Sequence, residues 1–84
     1  MRQVTDGTTT LDVIGHAMTK NAWEFYITEA PDGEGIGWAL VCGDAVEIGP
    51  FDWNEIAPHL WTYTTELEEL APPIGWRWSD YQAA

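Results

Sequence analysis

From Asn21 to Trp76 the chain has no lysine or arginine, yet that stretch carries Glu24, Glu29, Asp32, Glu34, Asp44, Glu47, Asp52, Glu55, Glu66, Glu68 and Glu69. No fold of this chain can neutralise those carboxylates with cations from its own middle. The acids must therefore face water, and apolar burial has to hold the structure. The material for that is present, since 45% of the 84 residues are apolar and six are tryptophan. A chain of this length buries only about 60–65% of its unfolded surface. That bounds it to one domain, residues 1–84, with a small core. Its 20% charged content is too low for the disordered class.

Over the whole chain fourteen acids face three bases, Arg2, Lys20 and Arg77, for a formal net charge of −11. Such an excess projects a negative field that repels phosphate and anionic membrane and attracts a basic protein surface. Acidity also serves solubility alone, so charge by itself leaves both readings open. Cys42 is the only cysteine, which excludes an internal disulfide. It lies in the apolar run Trp38–Cys42, where a buried, inert thiol is expected. Met1–Asp6 lacks the apolar stretch of a signal peptide, and no run reaches transmembrane length. The expectation is a cytoplasmic protein.

Hydrophobic periodicity predicts an α+β fold. Thr8–Thr10 offers an N-cap, and Leu11, Ile14 and Met18 fall at helical spacing, predicting an N-terminal helix. Gly15 and the β-branched residues leave a strand open there. Trp23, Phe25 and Ile27 alternate with Glu24, Tyr26 and Thr28, the pattern of a half-buried strand. Turn residues at Pro31–Gly35 and Gly43-Asp44 then separate the apolar runs Ile36–Cys42 and Ala45–Ile48, giving a three-stranded antiparallel meander that Gly49-Pro50 ends. Asp52-Trp53-Asn54-Glu55 has the outline of a capping box. Trp53, Ile56, Leu60, Tyr63, Leu67 and Leu70 follow at steps of three or four, which predicts a helix packed on one sheet face. Pro58 makes that helix kinked or doubled. Pro72-Pro73 stops it, and Ile74–Trp78 offers a fourth strand.

On such a helix Glu55, His59, Thr62, Glu66 and Glu69 would share one face away from the apolar stripe. A row of carboxylates at those intervals suits basic sites that normally hold nucleic-acid phosphates. Metal chemistry is disfavoured. Asp32-Gly33-Glu34-Gly35 lacks the ligand ladder of a calcium loop, and His16 and His59 have no partners at zinc spacing. No nucleophile motif or phosphate loop appears, so neither an enzyme nor a cofactor is expected. Trp23, Trp38 and Trp53 fit core positions, whereas Trp61, Trp76 and Trp78 can be packing residues or interface anchors. An aromatic platform for nucleic acid also needs a positive groove, which this composition lacks.

The span Trp23-x-x-Tyr26-x-x-Glu29 through Glu47-x-Gly49-x-Phe51-x-x-x-Glu55 resembles a plasmid- and phage-borne domain family of unknown function. The match covers about 33 residues and carries over no functional residue. Size, element order and uncompensated acidity resemble the small phage- and plasmid-encoded inhibitors, the anti-CRISPR and antirestriction DNA mimics. That resemblance implies host cytoplasm and a DNA-mimic inhibitor of a CRISPR effector of the Cascade type, blocking DNA entry near the site that reads the PAM. The expected contact residues are Glu24, Asp32, Glu34, Asp44, Glu47, Asp52, Glu55, Glu66, Glu68 and Glu69. The competing expectations are an interaction module anchored by tryptophan and a small metal-dependent hydrolase.

Overall fold

A computed structural model of the chain describes residues 1–79. The architecture is two antiparallel sheets and one short helical crossover, so the α+β expectation is corrected to a mainly β fold. The strands are β1 (Arg2–Thr5), β2 (Thr10–Val13), β3 (Gly15–Thr19), β4 (Glu24–Glu29), β5 (Ile36–Cys42), β6 (Val46–Asp52), β7 (Leu60–Thr64) and β8 (Arg77–Trp78). Helix α1 covers Trp53–Ile56 and runs into a 3-10 turn at Ala57–His59. The large sheet has the order β6-β5-β4-β3-β7, and the small one β2-β1-β8. No helix among the described residues is long and apolar enough to cross a membrane.

The predicted N-terminal helix is instead β2 and β3, split between the two sheets. The helical spacing of Leu11, Ile14 and Met18 gave way to Gly15, which weakens a helix, and to Val13 and Ile14, which favour strand. Gly15 also has a packing role. A Cβ there would stand 3.4 Å from the Tyr63 hydroxyl, which crosses it from β7. The expected meander survives as β4-β5-β6, extended by β3 and β7 into five strands. Gly49-Pro50 does not end it, because β6 continues to Asp52 with Pro50 opposite Trp38. An edge strand accommodates a proline that has no N–H to donate.

The long C-terminal helix is the other correction. Asp52 caps it as expected, its Oδ1 accepting the Asn54 N–H at 2.9 Å. Pro58 then tightens the chain into the 3-10 turn, and Leu60-Trp61-Thr62-Tyr63-Thr64 pairs with β3. Aromatic and β-branched side chains favour that pleated edge over a helix. The coil after β7 keeps Leu67 and Leu70 pointing inward without helical geometry. Ile74–Trp78 supplies only β8, which pairs with β1 and does not extend the meander.

Each face of the large sheet has its own core. On one face Ala17, Phe25, Ile27, Ala39 and Phe51 pack under Ile56 and Trp53 as α1 carries the chain from edge strand β6 to edge strand β7. On the other, Tyr26 and Leu40 meet Val4 and Val13 of the small sheet and Leu67 of the coil. Strand alternation explains the division, since neighbours along β4 and β5 point to opposite sides. Gly37 is tightly enclosed, because a Cβ there would run into the Glu29 carbonyl and the Phe51 ring. The coil is fastened down by Trp78, whose indole N–H donates to the Leu70 carbonyl at 2.8 Å. Arg2 adds to this by donating to the Leu67 carbonyl at 3.0 Å and stacking 4.2 Å over the Trp78 ring.

Candidate functional site

The ten carboxylates expected at an interface separate by what their side chains do. Three hold the fold together. Asp32 Oδ1 accepts the Glu34 N–H at 2.8 Å and the Ile36 N–H at 3.1 Å, closing the β4–β5 turn. Those backbone donors lower its pKa. Asp52 caps α1. Glu24 accepts from His16 Nε2 at 2.9 Å, beneath the small-sheet side of the large sheet. The other seven, Glu34, Asp44, Glu47, Glu55, Glu66, Glu68 and Glu69, are exposed. Among the described residues none of their side chains makes a hydrogen bond or an ion pair.

The fold gathers these groups differently from the predicted helix stripe. Glu55 is on α1, Thr62 is in β7, and Glu66 and Glu69 are in the coil, so no single helix face carries them. One group lies where the β4–β5 turn meets the start of α1. There the Trp53 N–H donates to the Gly35 carbonyl at 2.8 Å, bringing Asp32 and Glu34 beside Asp52 and Glu55. Glu29 is exposed at the same end of the sheet, opposite Trp38. It lies outside the expected contact set, although the absence of any nearby lysine or arginine in sequence is a signal that includes it. At the other end Asp44 lies in the β5–β6 turn, which with Glu24 and Leu70–Ile74 lines a cleft of about 640 Å³. The coil bearing Glu66, Glu68 and Glu69 leaves β7 after Thr64, which pairs with His16 toward the Glu29 end of the sheet, and runs over the small-sheet face to that cleft. Glu47 belongs to the same hairpin, paired with Val41. The six steps of β5 between the turn bearing Asp32 and Glu34 and the turn bearing Asp44 span about 20 Å.

The second cleft also holds His16, Tyr26 and Cys42. The Tyr26 hydroxyl donates to the Ala71 carbonyl at 2.9 Å, and burial with the Glu24 charge pushes its pKa well above the usual value. Burial, and then the Glu24 charge, push the Cys42 thiol up to about 11. A thiolate nucleophile is thereby suppressed near neutral pH. Iodoacetamide at pH 8 should modify folded Cys42 about a hundredfold more slowly than the urea-unfolded chain, the factor set by about two pKa units. Peptide mass spectrometry reads that ratio, and equal rates would contradict the burial.

A third feature had no sequence signal. A cleft of about 750 Å³ opens beside α1, floored by Phe25, Val41 and Phe51 and bordered by Trp23, Asp52, Glu55 and Ile56. It forms because α1 leaves part of its sheet face uncovered toward β6. Of the tryptophans expected in the core, Trp53 packs there and Trp23 and Trp38 do not. Trp23 and Trp38 are 42% and 43% exposed, Trp53 is half-buried against Tyr63, and Trp61 is 67% exposed. Trp76 and Trp78 pack against the small-sheet core. Among the described residues no three His, Cys, Asp or Glu side chains converge as a metal site. Comparison with protein families, with curated proteins and with solved structures finds no match to this chain.

Proposed function

We propose that this protein is an acidic binding protein that occupies the basic, phosphate-reading surface of a nucleic-acid-handling partner and so excludes DNA from it. The observation that carries this reading is the set of seven exposed carboxylates with no intramolecular partner among the described residues. A fold that needed those charges for itself would bond them. Left bare, they keep their full attraction for arginine and lysine on another surface. The dimensions are compatible, since the long axis of 38 Å is close to the roughly 34–36 Å of one duplex turn. Bare carboxylates in the turns at the two ends of β5, about 20 Å apart, can then meet basic sites on a surface that follows a duplex.

The function is stoichiometric occlusion without turnover. Bare carboxylates facing water suit contact with a basic surface. The resemblance to phage and plasmid inhibitors directs the finer proposal to a Cascade-type CRISPR effector at its PAM-reading surface. The test is capture of such complexes by the tagged protein, with and without excess PAM-bearing duplex. Duplex should displace the protein, and affinity should fall at least tenfold between about 50 and 300 mM salt as screening grows. Salt-insensitive capture would instead favour docking through Trp38 or Trp61.

A further inference from the structure

We infer that the cleft beside α1 is the socket for an apolar anchor side chain carried on a basic segment of the partner. This rests on the acidic-binder reading and adds a specific contact to it. The cleft of about 750 Å³ has room for one large side chain or two, and its floor of Phe25, Val41 and Phe51 is apolar. Half-exposed Trp23 forms one wall, an aromatic of the kind that anchors interfaces.

Charge decides which occupant fits. Asp52 and Glu55 stand along the cleft where α1 begins. Glu55 is exposed with no partner among the described residues, and Asp52 uses Oδ1 to cap the helix. A guanidinium or ammonium next to the anchor can therefore pair at that rim as the anchor enters. Lys20 and His59 close the far end, where the Lys20 N–H donates to the His59 carbonyl at 2.8 Å. An anionic amphiphile could pair with Lys20, but it would enter against the field of a chain carrying −11. Non-directional charge holds many basic surfaces equally, whereas a socket selects those that present an apolar residue beside an arginine.

The test uses three 12-residue peptides titrated into the full chain. One alternates arginine with leucine and tryptophan, the second has serine at the apolar positions, and the third has glutamine at the arginine positions. The first should bind at least tenfold more tightly than either other and shift the methyl resonances of Val41 and Ile56. Glu55→Lys should weaken that peptide about tenfold with an unchanged melting temperature. If the first two peptides bind alike and leave those methyls unmoved, the socket is disproved while the acidic-binder reading stands. If the glutamine peptide matches the first, the cation has no part and the inference fails. If the methyls shift with protein concentration alone, a second copy is the occupant and the inference fails. If neither arginine peptide binds, the acidic-binder reading itself is lost.

Discussion

Changing Asp44, Glu47, Glu66, Glu68 and Glu69 together to lysine should abolish partner capture while leaving the protein folded. Each reversal moves the charge by two units, so five take the formal −11 to about −1. Loss of electrostatic steering alone slows association by about 10–10³-fold. Like charges now opposing the partner's basic sites add to the loss, so affinity should drop at least a hundredfold. Stability should stay within about 1 kcal/mol of the parent, because exposed side chains without partners contribute little to folding. Relief of self-repulsion can even raise it. Matched titrations and thermal melts separate the two effects. An unchanged affinity would place the interface away from the β5–β6 hairpin and the coil after β7, and a collapsed melt would mean that these acids have a role in the fold.

The second large effect is on the fold itself. Leu40→Ala should destabilise the domain by about 2–5 kcal/mol, the usual range for emptying a buried leucine site. Leu40 is fully buried and joins Tyr26 of the large sheet to Val4 and Val13 of the small one. A chain of this size has only about 4–13 kcal/mol in total, and about 1 kcal/mol moves its midpoint by about 4–8 °C. The melting temperature should therefore fall by about 10–30 °C. Trp38→Ala, two residues away on the same strand face, should cost far less because that side chain is 43% exposed. Similar losses for the two variants would mean that the small sheet does not cover the region around Leu40.

Several elements were legible from local pattern. Alternation over Trp23–Thr28 and the turn residues on either side of Ile36–Cys42 mark the existence of β4, β5 and β6, although β6 runs on to Asp52 past the expected end at Gly49-Pro50. Asp52 marks the helix start because a side-chain cap is a local hydrogen bond. The helix end was not legible in the same way. Leu60, Tyr63, Leu67 and Leu70 sit at helical spacing, but Leu60 and Tyr63 are in edge strand β7, where Tyr63 stays half-exposed, while Leu67 and Leu70 are in a coil lying on the small-sheet core. Spacing cannot distinguish one continuous stripe from apolar residues that meet different partners.

The site divides along the same line. Composition alone determined that this molecule carries unneutralised acid, because no arrangement of three cations can pair with fourteen carboxylates. It also determined that apolar burial holds the domain together. Tertiary structure decided that Glu24 is occupied by His16, since that bond joins two strands, whereas the turn and cap bonds of Asp32 and Asp52 are local. It also decided that the bare groups lie on two hairpins, α1 and the coil after β7 rather than along one helix, and that a cleft opens beside α1. Charge is a sum over residues and survives any folding, whereas position depends on long-range strand pairing, which local spacing does not encode.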